Sequence, residues 1–184
     1  ASEWTLALSA GKSHTMRNAR MTETKNCSPT ISDAFAKSRT PATTFGMNFL
    51  TDASGRAILE RRRITVGGKS FQGHILSMGN PHCVIFVKDV AAIPIERLGP
   101  AIERNSLFPA KANVEFVALE GRRRAIQRTW ERGSGETFAC GSGACAVAVA
   151  AFLTGRAERK LEIELKGGRL LIEYTRAGAV LMTG

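Results

Sequence analysis

The stretch TFACGSGACAVAVAAF at 137–152 sets Cys140 directly before a glycine-rich helix start. The first amides of a helix lack intrahelical partners and carry positive potential, which favours a thiolate or a ligand carboxylate there. Cys140 therefore reads as a thiol of lowered pKa that can take and return a proton. A buried cysteine beside a tight cap is the competing structural reading. Cys145 is off the same-face spacing of three or four residues from Cys140 and belongs in the core.

A second group lies in SMGNPHCV at 77–84, where an extended backbone puts Asn80 and His82 on one side and Cys83 on the other. The imidazole can serve as base, donor or orienting group, and Cys83 reads as packing. WERGSGE at 130–136 adds Glu131, Arg132 and Glu136 beside glycines. A carboxylate from this segment, Glu131 first, is expected to tune His82, while Arg132 receives an acidic group of a substrate.

Short strands and one buried helix must bring these groups together. HCVIFV at 82–87 and NVEFVAL at 113–119 have strand propensity, and Phe71–Ile75 suggests another strand. AIQRTWER at 125–132 alternates, with Ile126, Arg128, Trp130 and Arg132 on one face and Gln127, Thr129 and Glu131 on the other. Residues 93–105 predict helical turns interrupted at Pro100. GSGACAVAVAAFLTG at 141–155 predicts a helix with Ser142 as N-cap and Gly155 at its end. That helix has almost no polar face, so it is expected to be enclosed by strands. KLEIELKGGRLLIEYT predicts a hairpin turning at Gly167 and Gly168, followed by an extended AVLMTG. Residues 1–45 read as loop-rich, and Asp52–Gly55 as a turn.

With 184 residues, 43% of them hydrophobic and 23% charged, the chain has room for one sizeable domain or two small ones and is neither disordered nor collagenous. The formal charge of +10 attracts anions of several kinds. The RRR runs at 61–63 and 122–124 sit in no aromatic series and read as solvated patches, not as a nucleic-acid surface. Four irregularly placed cysteines read as reduced thiols. No apolar run reaches the roughly 18 residues of a membrane span, and the first residues lack the pattern of a secretory signal, so a cytoplasmic protein is expected.

Taken in order, MGNPHCVIFVKDV, LGPAIERNSLFPAKANVEFV, WERGSGETFACGSGACAVAVAAF and GGRLLIEY with terminal MTG resemble the C-terminal half of the diaminopimelate epimerase family over residues 74–184. The resemblance implies an α/β fold of two similar domains, each wrapping strands around a central hydrophobic helix, with substrate between them. It implies inversion of an amino-acid stereocentre, LL- to meso-diaminopimelate, with no cofactor and no metal, in lysine and cell-wall precursor biosynthesis. Two cysteines on opposite faces exchange the α-proton, and Cys140 matches one of them. The resemblance also pairs His82 with Glu131 at the reacting centre. It gives the α-carboxylate to the amides of Gly141 and Ser142, and substrate recognition to Asn80, Asn113 and Arg132. The expected partner is a small amino acid, with a homodimer as the assembly.

Residues 74–184 are thus expected to form the C-terminal epimerase-like domain, and residues 1–73 an incomplete or diverged N-terminal one. Residues 1–73 hold no motif like that around Cys140; Cys27 in KNCSPT lacks a glycine-rich helix start. The chain also stops at Gly184, where the family usually adds a strand. Two alternatives stay open: a non-enzymatic binding protein that keeps a carboxylate pocket at Gly141 and Ser142, and an epimerase for another amino acid.

Overall fold

The structure, a computed structural model, describes Leu6–Leu8 and residues 59–184. The expected loop-rich start, the turn at 52–55 and Cys27 lie outside these residues, apart from strand β1 (Leu6–Leu8). Strands β2 (Glu60–Val66), β3 (Lys69–Ser77) and β4 (Pro81–Phe86) form an antiparallel meander. Helix α1 (Ile95–Glu103) then crosses over to β5 (Asn113–Leu119), which lies parallel to β4. A hairpin leads to β6 (Arg124–Glu131), and a tight turn to the short β7 (Gly135–Thr137). Helix α2 (Gly141–Leu153) precedes β8 (Lys160–Leu165), β9 (Gly168–Tyr174) and β10 (Val180–Thr183).

The ten strands of the described residues belong to one sheet, ordered β1-β10-β9-β8-β6-β5-β4-β3-β2, with β7 beside β6. β8 pairs in parallel with the first part of β6, and β7 takes the same edge further along. This leaves the far end of β6, which carries Glu131, beside the segment that leads into α2. The sheet curls around α2, whose residues from Gly143 to Ala151 are all buried. Leu76, Val84, Val117, Ile163 and Ile172 from five strands close over that helix. Its composition explains the position: with no polar face, only enclosure removes its Ala and Val side chains from water. The fold is α/β, with strands wrapped around a central hydrophobic helix.

The opposite face of β3–β5 packs on α1 through Ile75, Cys83, Ile85, Val114 and Phe116, joined by Ile95, Leu98 and Ile102. Helix α1 runs through Pro100 without interruption. Proline removes one backbone bond, but anchoring of Ile95, Leu98 and Ile102 on the sheet outweighs that loss. The N-cap of α2 is Cys140, not Ser142: Cys140 is extended and its sulfur accepts from the Gly143 amide. The last hairpin pairs Leu165 with Gly168, so its loop residues are Lys166 and Gly167, one position earlier than expected.

Candidate active site

Three strand segments present polar groups to the N-terminus of α2. On β4, His82 is fully buried, directly opposite Asn113 of β5 across the parallel register. Asn80 lies just before it, in a turn where Gly79 takes a φ of 93° and its amide donates to the Ser77 hydroxyl at 3.2 Å. Period-two alternation on β5 puts Glu115 on the same side as Asn113. On β6, the face carrying Gln127, Thr129 and Glu131 turns toward α2, and Arg128 and Trp130 toward α1, as the alternation predicted.

Hydrogen bonds link these strands. The His82 ring meets Glu115 Oε1 at 2.7 Å through Nδ1 and Asn80 Oδ1 at 2.9 Å through Nε2. Asn113 Oδ1 accepts from the backbone amide of Arg132 at 2.9 Å, and its Nδ2 reaches the Pro81 carbonyl at 3.4 Å. One buried amide thus joins the start of β4 to the turn beyond β6. Arg132 donates to the Ala110 carbonyl at 2.9 Å, and Glu131 Oε1 accepts from the Thr137 hydroxyl at 2.7 Å.

The expected pairing of Glu131 with His82 is therefore corrected: the carboxylate on His82 is Glu115. Glu131 instead holds the Thr137 hydroxyl, and its charge acts on the Cys140 thiol together with that of Glu115. Glu136 belongs to a different network, an ion pair with Arg128 at 2.8 Å and with Lys166 at 2.8 Å. The Arg128 hydrogen bond holds its carboxyl below the usual range against the opposing effect of burial.

The turn carrying Glu131 and Arg132 is clamped from α1. Glu103, only 4% exposed, accepts from Trp130 Nε1 at 2.9 Å and from the Gly133 amide at 3.2 Å. Gly99 permits this approach, because a Cβ there would lie 2.5 Å from two atoms of the Trp130 side chain.

Cys140 is 4% exposed, and Gly141 and Ser142 beside it are half-buried. Its sulfur sits 3.4 Å from the Gly143 amide and 3.6 Å from the Ser142 hydroxyl. The thiol is pushed up to about 12, first by burial and then by the charges of Glu131 and Glu115. The Ser142 and Gly143 hydrogen bonds act in the opposite sense but do not prevail. This reverses the lowered pKa expected from the helix N-terminus: burial and the two carboxylates favour the protonated thiol. Cys83 points to the α1 core and Cys145 lies inside α2, and burial raises both thiols.

The sequence profile of diaminopimelate epimerase matches residues 74–184, a span that holds every polar group just described. The chain belongs to the diaminopimelate epimerase family. It is 52% identical to the diaminopimelate epimerase of Leptospira biflexa over 121 residues, which cover 66% of this chain and 43% of that protein. The Desulfitobacterium hafniense diaminopimelate epimerase is 52% identical over 122 residues, with 66% and 43% covered. The chain thus spans less than half the length of these curated relatives. Among solved structures, a hydroxyproline epimerase from Agrobacterium vitis aligns with a TM-score of 0.49 and 17% identity over 68% of this chain and 46% of that one.

The diaminopimelate epimerase match begins inside β3, so this chain's sheet extends beyond the matched span through β1 and β2. Glu115 is the site residue that sequence reasoning passed over. Its signal was present: in NVEFVAL it is the one carboxylate in an apolar strand, two residues from Asn113 and therefore on its face.

Proposed function

We propose that this chain carries the Cys140 half of a cofactor-independent amino-acid epimerase that interconverts LL- and meso-diaminopimelate. The observation that supports the reading is Cys140 at the N-cap of buried α2, close to Glu115, which holds His82 and through it Asn80, with the charge of Glu131 also acting on the thiol. In the proposed reaction the substrate α-carboxylate lies on the amides of Gly141 and Ser142, where helix α2 favours negative charge. Held there, the charge that develops as the α-proton leaves spreads onto a carboxylate already facing positive potential.

Cys140 supplies a proton to its face of the α-carbon, and a thiolate on the other face removes one; the reverse direction exchanges the two roles. A cysteine held as a thiol suits the donating half of this cycle. The opposing group is neither Cys83, which faces α1, nor Cys145, which is enclosed within α2. His82 and Glu131 act at the reacting centre from β4 and from the end of β6, while Asn80, Asn113 and Arg132 recognise the amino acid. Asn113 also positions Arg132 through its backbone amide.

In this proposal residues 74–184 form the C-terminal unit and residues 1–73 an incomplete or diverged N-terminal one, from which β1, β2 and the start of β3 join the sheet of the C-terminal unit. A homodimer is carried forward from the family resemblance, and sedimentation of the full protein reads it.

Incubation of the full protein with LL-diaminopimelate in deuterated water tests the activity. Formation of the meso isomer with one α-deuterium is expected. Binding without exchange would replace the epimerase by an amino-acid-binding protein, and exchange with another amino acid alone would reassign the substrate.

A further inference from the structure

Glu115 is fully buried, and its Oε2 has no hydrogen-bond partner among the described residues. The core does not require a carboxylate there. Its strand face packs on a helix of Ala and Val, where an apolar side chain of similar volume would avoid the desolvation cost. What distinguishes Glu115 is where its other oxygen goes. Oε1 lies 2.7 Å from His82 Nδ1, and 2.9 Å from the point a Cβ on Gly143 would occupy. Cys140 Sγ lies 3.2 Å from that same point. The carboxylate therefore contacts the imidazole and shares the narrow space beside Gly143 with the thiol and Gln127 Nε2.

A carboxylate oxygen accepts hydrogen bonds, and Nδ1 is the ring nitrogen within reach of Glu115 Oε1, so Nδ1 is the nitrogen placed to donate to Glu115. The other ring nitrogen is then turned to Asn80, on the half-buried side of the cluster, 2.9 Å from its side-chain oxygen. Which way the Asn80 amide faces follows from the ring, because an Asn side chain can present either its oxygen or its nitrogen. We propose that Glu115 is a positioning residue: it fixes the hydrogen of His82 on Nδ1 and presents Nε2 to the substrate side of the site. The inference rests on the epimerase reading above and adds to it a buried carboxylate behind the imidazole, supplied by β5.

The test uses the full protein with ¹⁵N-labelled histidine; His14, His74 and His82 are its three histidines, and a His82→Gln variant assigns the signal. Nδ1 of His82 is expected to bear the hydrogen in the wild type. Glu115→Leu removes the acceptor and should abolish that preference. It should lower kcat for α-proton exchange by about tenfold or more, with KM within about threefold. Glu115→Gln retains an acceptor and should recover part of both.

In the His82→Gln background, Glu115→Leu should cost little further activity, because Glu115 acts through the ring. A wild-type ring protonated on Nε2 alone overturns the proposal, as does a folded Glu115→Leu protein with unchanged ring signals and kcat. If Glu115→Leu fails to fold, the wild-type and Glu115→Gln ring signals decide the matter. Absence of exchange in the wild type would defeat the epimerase reading, while the ring signals would still decide the role of Glu115.

Discussion

Gly143→Ala probes the narrowest part of the site. At an unobstructed helix position this change stabilises by about 1 kcal/mol, since glycine loses more backbone entropy on folding. Here the new methyl would lie 2.9 Å from Glu115 Oε1, 3.2 Å from Cys140 Sγ and 3.2 Å from Gln127 Nε2. None of the three yields freely. Oε1 is held by His82 at 2.7 Å, Nε2 by the Thr129 hydroxyl at 2.8 Å, and Sγ by the Gly143 amide itself. Overpacking a tight core costs about 1–3 kcal/mol, so the net effect is a destabilisation of up to about 2 kcal/mol in place of the usual gain. Sγ and the carboxylate must move apart, so turnover should fall with it. Urea unfolding and α-proton exchange on the same preparation read both. A Gly143→Ala protein about 1 kcal/mol more stable, with unchanged exchange, would show that Glu115, Gln127 and Cys140 do not converge there.

Two further perturbations reach the site differently. Gly99→Ala drives a methyl into Trp130, whose indole is tied to Glu103. It should cost about 1–3 kcal/mol in denaturant unfolding and raise KM by displacing Glu131 and Arg132. For pH, the folded-state pKa of Cys140 lies at about 12, above the ordinary thiol value of about 8.5. The folded state therefore keeps a proton that the unfolded chain loses. This stabilising contribution is complete below about pH 8.5 and is lost as pH rises toward about 12. Unfolding free energies should fall through the alkaline range, and Cys140→Ala should flatten that fall; an unchanged slope would mean that the thiol is not held protonated.

The elements were largely legible because their patterns are local. NVEFVAL became β5 to the residue, and the alternation in AIQRTWER put Gln127, Thr129 and Glu131 on the α2 side. The apolar run after Cys140 marked an enclosed helix. Long-range pairing was not legible. His82 and Glu115 are 33 residues apart, and they meet because the α1 crossover sets β4 and β5 in parallel with His82 opposite Asn113. Glu131 looked the better partner only because the motif around it is richer in chemistry. The protonation of Cys140 was misread for a related reason. A sequence shows that a cysteine starts a helix, but not that the sheet buries its sulfur beside two carboxylates. At Pro100, local propensity gave way to packing against the sheet.

The central claim is that Cys140 carries the proton at one face of the substrate α-carbon. Its most direct measurement is deuterium incorporation from solvent into LL- and meso-diaminopimelate by the full wild-type protein and by Cys140→Ala, with folding of both verified. Wild-type protein should exchange and invert, and the variant should lose about 10²- to 10⁴-fold of that rate. Exchange in Cys140→Ala at a rate close to wild type would contradict the claim.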